Sequence, residues 1–211
     1  MSGFSDTINR IPKGVKNIIF INILFFIATL INEQSMITKF ALYPIGSPLF
    51  RSYQFITHMF MHGGFAHILF NMYTLYLFGC VLETIWGTKK FIIYYLVTGL
   101  GAAACHLFVS YLTMTSARDF FIPTVGASGA VYGLLLAYGM LFPNNRLTLI
   151  FPIPINIKAK WLVIIFGGLE LLFGILLING QIAHFAHLGG MLFGLILILI
   201  WKKNNRIYTE Y

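Results

Sequence analysis

The run Gly126-Ala127-Ser128-Gly129 stands at the mouth of an apolar segment, and fifty-nine residues after the serine, inside another apolar segment, comes His187 in Ala186-His187-Leu188-Gly189-Gly190. A serine between glycines and a lone imidazole, both in stretches that read as lipid-embedded helix, are the parts of a hydroxyl nucleophile and its base. A free hydroxyl is a weak nucleophile at neutral pH and needs such a base. Tyr132 lies four residues after Ser128, on the same helix face, where it can pack against His187. His67 and Asn71 are also four apart and share a face, and side-chain donors of this type suit a developing oxyanion. Ser128 at a helix N-terminus would also sit beside unpaired N–H groups and the positive end of the helix dipole. Of the six acids, Asp6 and Glu210 are terminal, Glu33 and Asp119 fall in loops, Glu83 lies near the inner end of a span and Glu170 near a midplane. No carboxylate is expected to join the pair, so the arrangement reads as a Ser–His dyad.

These residues need elements that place them inside a membrane. Hydrophobic residues make up 58% of the chain and charged ones only 9%, against about 25% charged in ordinary soluble domains. With a mean hydropathy of +0.82, this composition excludes a soluble enzyme. Span-length apolar runs recur, so the expected fold is an all-α polytopic membrane bundle. Six transmembrane helices are expected, over about Val15–Ile31, Phe65–Ile85, Phe91–Leu112, Ser128–Phe142, Trp161–Ile178 and Ala183–Trp201. Cys80 and Cys105 fall within spans and imply no disulfide framework. There is no signal peptide with a small-residue cleavage site, so the first apolar run reads as a retained anchor.

The net charge of +8 does not point to nucleic acid, because the basic residues cluster beside apolar runs. Sorted by the six spans, Arg10, Lys13, Lys16, Lys89, Lys90, Arg146, Lys158, Lys160, Lys202, Lys203 and Arg206 fall on one side. Lys39, Arg51 and Arg118 fall on the other, a split of eleven to three. The positive-inside rule then puts both termini in the cytoplasm. Residues 1–14 and 202–211 are expected to flank a six-helix membrane domain over 15–201. The segment 32–64 is expected to fold onto or into the membrane. A turn at Pro143-Asn144-Asn145-Arg146 should be followed by a non-helical stretch around Pro152 and Pro154.

Orientation and helix rise provide a depth check. The hydrocarbon core is about 30 Å thick and a helix rises about 1.5 Å per residue. With Phe142 at the inner boundary, Ser128 falls on the order of 8 Å below the outer one. His187 falls about 6 Å deep, His67 about 3 Å and Asn71 about 9 Å. Four polar residues from three helices therefore share one layer near the outer face. The stretch Pro123–Ala127 must descend to Ser128 as non-helical backbone, which is tolerated at depth only in protein or beside a water-filled cavity. Gly190 and Gly194 form a Gly-x-x-x-Gly step that lets the sixth span approach a neighbour and bring His187 to Ser128.

Placed in this order, the motifs resemble the rhomboid intramembrane serine proteases. The likeness runs from about Phe50 to Gly194. It comprises Phe50-Arg51 in the first loop, His67-Ile68-Leu69-Phe70-Asn71, Gly126-Ala127-Ser128-Gly129 with Tyr132, and Ala186-His187-Leu188-Gly189-Gly190. The resemblance implies Ser128 as nucleophile and His187 as base, with Tyr132, Gly126 and Gly129 supporting them. It also implies an oxyanion hole from the Ser128 backbone N–H with His67 and Asn71. Phe50 departs from the family's usual Trp, which should affect loop anchoring more than chemistry. The six-span plan matches the simple bacterial form, and a bacterial inner membrane is the expected location. The expected partners are the lipid bilayer and transmembrane protein substrates, which enter laterally and unwind locally near their outer end. Span five and the loop Asn179–Ile182 are the expected gate.

Three other readings compete. His58 with His62 (i, i+4) and His184 with His187 (i, i+3) have spacings that can place two imidazoles on one metal; that reading leaves the glycines around Ser128 unexplained. A proteolytically dead relative would conflict with intact Ser128 and His187. A transporter would use Glu170 as its intramembrane acid. The preferred reading needs no cofactor and no metal.

Overall fold

The computed structural model describes residues 10–149, 155–176 and 183–204. Within them the chain is an all-α membrane bundle. Its long helices are α1 (Lys13–Ile31), α4 (Phe65–Trp86), α5 (Thr88–Thr113), α7 (Ala159–Leu176) and α8 (Ala183–Lys203), with the shorter α6 (Ser128–Leu141) among them. The first loop adds α2 (Glu33–Phe40) and the single turn α3 (Gln54–Thr57). The expected gate loop, Asn179–Ile182, lies outside the described residues, as do Pro152 and Pro154.

The bundle is apolar outward and polar inward. Leu30, Ile31, Ile164 and Leu176 face out, whereas Asn22, Thr98, Glu83 and Glu170 are buried. Each buried polar group therefore needs an internal partner. Glu83 illustrates this: its two oxygens accept the Gly14 and Val15 backbone N–H groups at 2.7 Å each, and the Thr88 hydroxyl at 2.6 Å. One carboxylate thus fixes the start of α1, whose first N–H groups have no helical partner. Gly87 makes the turn from α4 to α5 at φ 73°, a left-handed conformation that favours glycine.

The centre of the bundle is built on small residues. A Cβ on Gly190 of α8 would lie 1.9 Å from the Gly129 carbonyl oxygen of α6, and one on Gly129 would lie 2.2 Å from Ala102 Cβ of α5. A Cβ on Gly194 would meet the Tyr94 hydroxyl at 2.3 Å, and that hydroxyl donates to Gly133 O at 2.9 Å. Three helices therefore meet at backbone contact, where any larger side chain would wedge them apart.

The first loop is held by Gln54, whose amide nitrogen donates to Leu49 O at 2.9 Å and whose oxygen accepts from Arg51 N at 3.1 Å. Phe50 packs against the cluster of Leu42, Ala103 and Leu107 and against the Phe55 ring at 6.0 Å. After α6 the chain forms a hairpin not foreseen from its sequence, β1 (Arg146–Leu149) antiparallel to β2 (Ile155–Lys158), with Leu147 opposite Ile157. The apolar residues of both strands alternate with Thr148 and Asn156, a period-two signal beneath the proline and turn signals.

Candidate active site

Ser128 opens α6, and what precedes it explains its placement. Thr124 pairs with Leu42 of the first loop through two backbone hydrogen bonds of 2.8 and 2.9 Å. The Thr124 hydroxyl lies 2.5 Å from His106 Nε2 on α5. Gly126 then takes φ 133° and donates its N–H to His58 O at 2.9 Å. A side chain at Gly126 would be strained in that conformation, and its Cβ would meet the His67 ring at 2.9 Å. The first helical bond of α6 runs from Val131 N to Ala127 O at 3.0 Å. The N–H groups of the preceding residues have no carbonyl a turn behind them to bond.

His187 of α8 brings Nε2 to 2.8 Å from Ser128 Oγ. The Tyr132 ring stacks on the imidazole, with centroids 4.3 Å apart and planes 6° from parallel. If the Ser128 hydroxyl donates to Nε2, the ring proton is on Nδ1, on the far side of the imidazole.

That far side holds an acid that the sequence reading left apart from the pair. Glu170 of α7 places Oε1 3.0 Å from His187 Nδ1 and Oε2 2.5 Å from His184 Nδ1. The Tyr132 hydroxyl donates to Oε1. The approach to His187 lies out of line for a straight hydrogen bond, so it is a contact between a carboxylate and a ring edge. Glu170 reaches the pair because α7 packs against both α6 and α8. Tyr132, one turn after Ser128 on α6, carries the contact to Glu170.

His67 and Asn71 are placed differently from each other. His67 accepts the Gly63 N–H at Nδ1 over 3.4 Å, which leaves the proton on Nε2, and that nitrogen lies against Gly126. The same point at Gly126 is 3.5 Å from Ser128 Oγ, so His67 and the serine border one space. Asn71 is buried one turn further along α4, and its amide donates to His67 O at 2.8 Å. Its nitrogen is thus engaged within its own helix. Gly129, Gly190 and Gly194 sit at the helix contacts described above. A cavity of about 30 Å³ lies beside Ser128, lined by His58, Ala102, His106, Thr124 and Gly126. Its polar lining can hold water.

Among the described residues, Glu170, His184 and His187 could present ligand atoms to a metal, all within 4.8 Å of one another. His58 and His62 do not share such a group. His62 instead stands edge-on to the His67 ring at 4.9 Å. Burial, with His67 nearby, holds His62 down to about 4, and burial holds His58 down to about 4. Both are neutral imidazoles at pH 7.

A family model described as Rhomboid domain matches residues 50–204. The chain is 30% identical over 138 residues to Rhomboid protein 1, mitochondrial, of Saccharomyces cerevisiae, covering 65% of this chain and 38% of that one. It is 32% identical over 143 residues to Rhomboid protease GluP of Bacillus subtilis, covering 67% of this chain and 24% of that protein. Against the Homo sapiens Presenilin-associated rhomboid-like protein, mitochondrial, identity is 31% over 200 residues, covering 92% and 51%.

Proposed function

The chain belongs to the rhomboid family, and on that premise we propose that it is a serine endopeptidase that cleaves transmembrane segments of other proteins near the outer face. The observation that carries this reading is the 2.8 Å approach of His187 Nε2 to Ser128 Oγ beneath a stacked Tyr132. A membrane-embedded serine with a properly directed imidazole at a helix N-terminus is equipped for acyl transfer.

In this proposal, Ser128 Oγ attacks the scissile carbonyl while His187 Nε2 takes its proton. The oxyanion meets the Ser128 backbone N–H and His67 Nε2–H, with Asn71 joining after it exchanges its bond to His67 O. His187 returns the proton to the leaving amine. Water then hydrolyses the acyl-enzyme with His187 again as base. A helical substrate must unwind first, because its peptide carbonyl is already bonded; helix-weakening residues near the cut lower that cost.

The membrane domain of this proposal is residues 15–201, with 1–14 and 202–211 on the cytoplasmic side of a bacterial cell membrane. The basic-residue asymmetry supports the orientation, and the compact six-span plan supports the membrane. The chain spans 38% of the yeast relative and 24% of the Bacillus one, so the activity of those longer proteins comes to this chain as part of the proposal.

The test is cleavage of a single-span substrate in liposomes by wild type, Ser128→Ala and His187→Ala. Wild type is expected to cut, with each variant down by about 10⁴-fold or more. Wild-type rates in either variant would remove that residue from the mechanism.

A further inference from the structure

A carboxylate stands behind the base, and the reaction as proposed would put charge there. When His187 takes the Ser128 proton, the imidazole becomes a cation inside a bundle whose outer surface is apolar. An uncompensated charge in such surroundings is costly, and the cost falls on the transition state in which it develops. Glu170 Oε1 is 3.0 Å from His187 Nδ1, the nitrogen opposite the one that receives the proton.

The carboxylate is itself held at both oxygens. Tyr132 donates to Oε1 and His184 faces Oε2 at 2.5 Å. Tyr132 also stacks on His187, so one phenol sets the ring plane of the base and anchors the acid beside it. Glu170 is 8% exposed, and water contributes little screening at that depth.

We infer that Glu170 is a positioning residue of the proposed reaction: its carboxylate, in contact with the Nδ1 edge of His187, balances the imidazolium that forms when Nε2 takes the Ser128 proton. This rests on the serine-protease reading above. The proton passes from Ser128 Oγ to His187 Nε2 and later to the leaving amine, while Glu170 neither gains nor loses one. The role belongs to charge and direction, so the neutral isostere should fail where the shorter acid partly succeeds.

The experiment compares wild type, Glu170→Gln, Glu170→Asp and Ser128→Ala in proteoliposomes with a single-span substrate. Each is also labelled at Ser128 with a fluorophosphonate probe. The Gln variant is expected to lose about tenfold to a hundredfold in kcat with KM little changed, and to label more slowly by a similar factor. The Asp variant should fall between Gln and wild type, and unfolding midpoints in detergent should remain close. Wild-type kcat and labelling in a folded Gln variant would overturn the inference, as would a loss that only follows a lowered midpoint. Should Gln prevent folding, the Asp variant decides: kcat and labelling below wild type with KM and midpoint kept support the role, and wild-type values of both overturn it. If wild type cuts no substrate, or Ser128→Ala cuts as well as wild type, the protease reading itself fails and the inference falls with it.

Discussion

His62 is 2% exposed and neither of its ring nitrogens has a hydrogen-bond partner among the described residues. Beside it, His58 is 4% exposed with Nδ1 on Gln54 O at 2.8 Å. Both are held down to about 4 in the fold, below the unfolded value of about 6.5. The unfolded chain therefore takes up protons first as the pH falls. Their contribution to stability is complete above about pH 6.5 and is lost as the pH falls toward 4, a few kcal/mol in all. Unfolding midpoints measured from pH 7 to pH 4 should fall, and His62→Leu should flatten part of that slope. An unchanged slope in His62→Leu would place the sensitivity elsewhere. At this scale Ser128 and Tyr132 are legible as neighbours because one helical turn separates them, and His187 joins them through the glycine contact of α8 with α6. Glu170 is not legible in the same way. Its partners come from α6 and α8, and only the packing of α7 against both brings its carboxylate to a ring nitrogen. The signal that could have found it is an acid alone in an apolar helix with two histidines on the next span.

Between elements, the decisive contacts are those with no side chain. Gly190 leaves α8 resting on the Gly129 carbonyl, and this contact sets how near His187 comes to Ser128. Gly190→Val should cost about 1–3 kcal/mol of stability through overpacking. It should also lower cleavage in the fraction that still folds, because the base is pushed from the nucleophile. Thermal unfolding and a cleavage assay on one preparation read both effects, and full activity at wild-type stability would show that the close approach is dispensable. The long helices begin and end within a few residues of the expected apolar runs where both are described, since apolar length leaves few alternatives. The β1–β2 hairpin is not legible, because prolines and a turn signal obscure four alternating residues on each side. Glu83 and His106 also carry no sequence signal for their roles, since each acts on a distant backbone or side chain: Glu83 on the start of α1, His106 on Thr124.

Across the described residues, buried polar groups such as Asn22, Thr98, Glu83 and Glu170 are turned inward. Lys90 lies 4.6 Å above the Trp201 ring, which also meets Trp86 at 5.3 Å. Aromatic and basic residues together mark a membrane boundary. If the eleven-to-three asymmetry sets orientation, reporter fusions at both ends should read as cytoplasmic, and one in the loop holding Arg118 should read as external. A terminus that reports from outside would reverse the orientation and, with it, the side on which Ser128 opens. Charge asymmetry is legible because it is a property of the sum. The closeness of one acid to one base is not.

The Glu83 clamp bears on where this protein can be cut. The family match begins at residue 50, after α1 has ended, yet the Gly14 and Val15 amides both donate to Glu83. A chain trimmed to the matched residues would lose both backbone donors and keep the Thr88 hydroxyl against that carboxylate. The family model thus leaves out a backbone that its own acid at Glu83 holds.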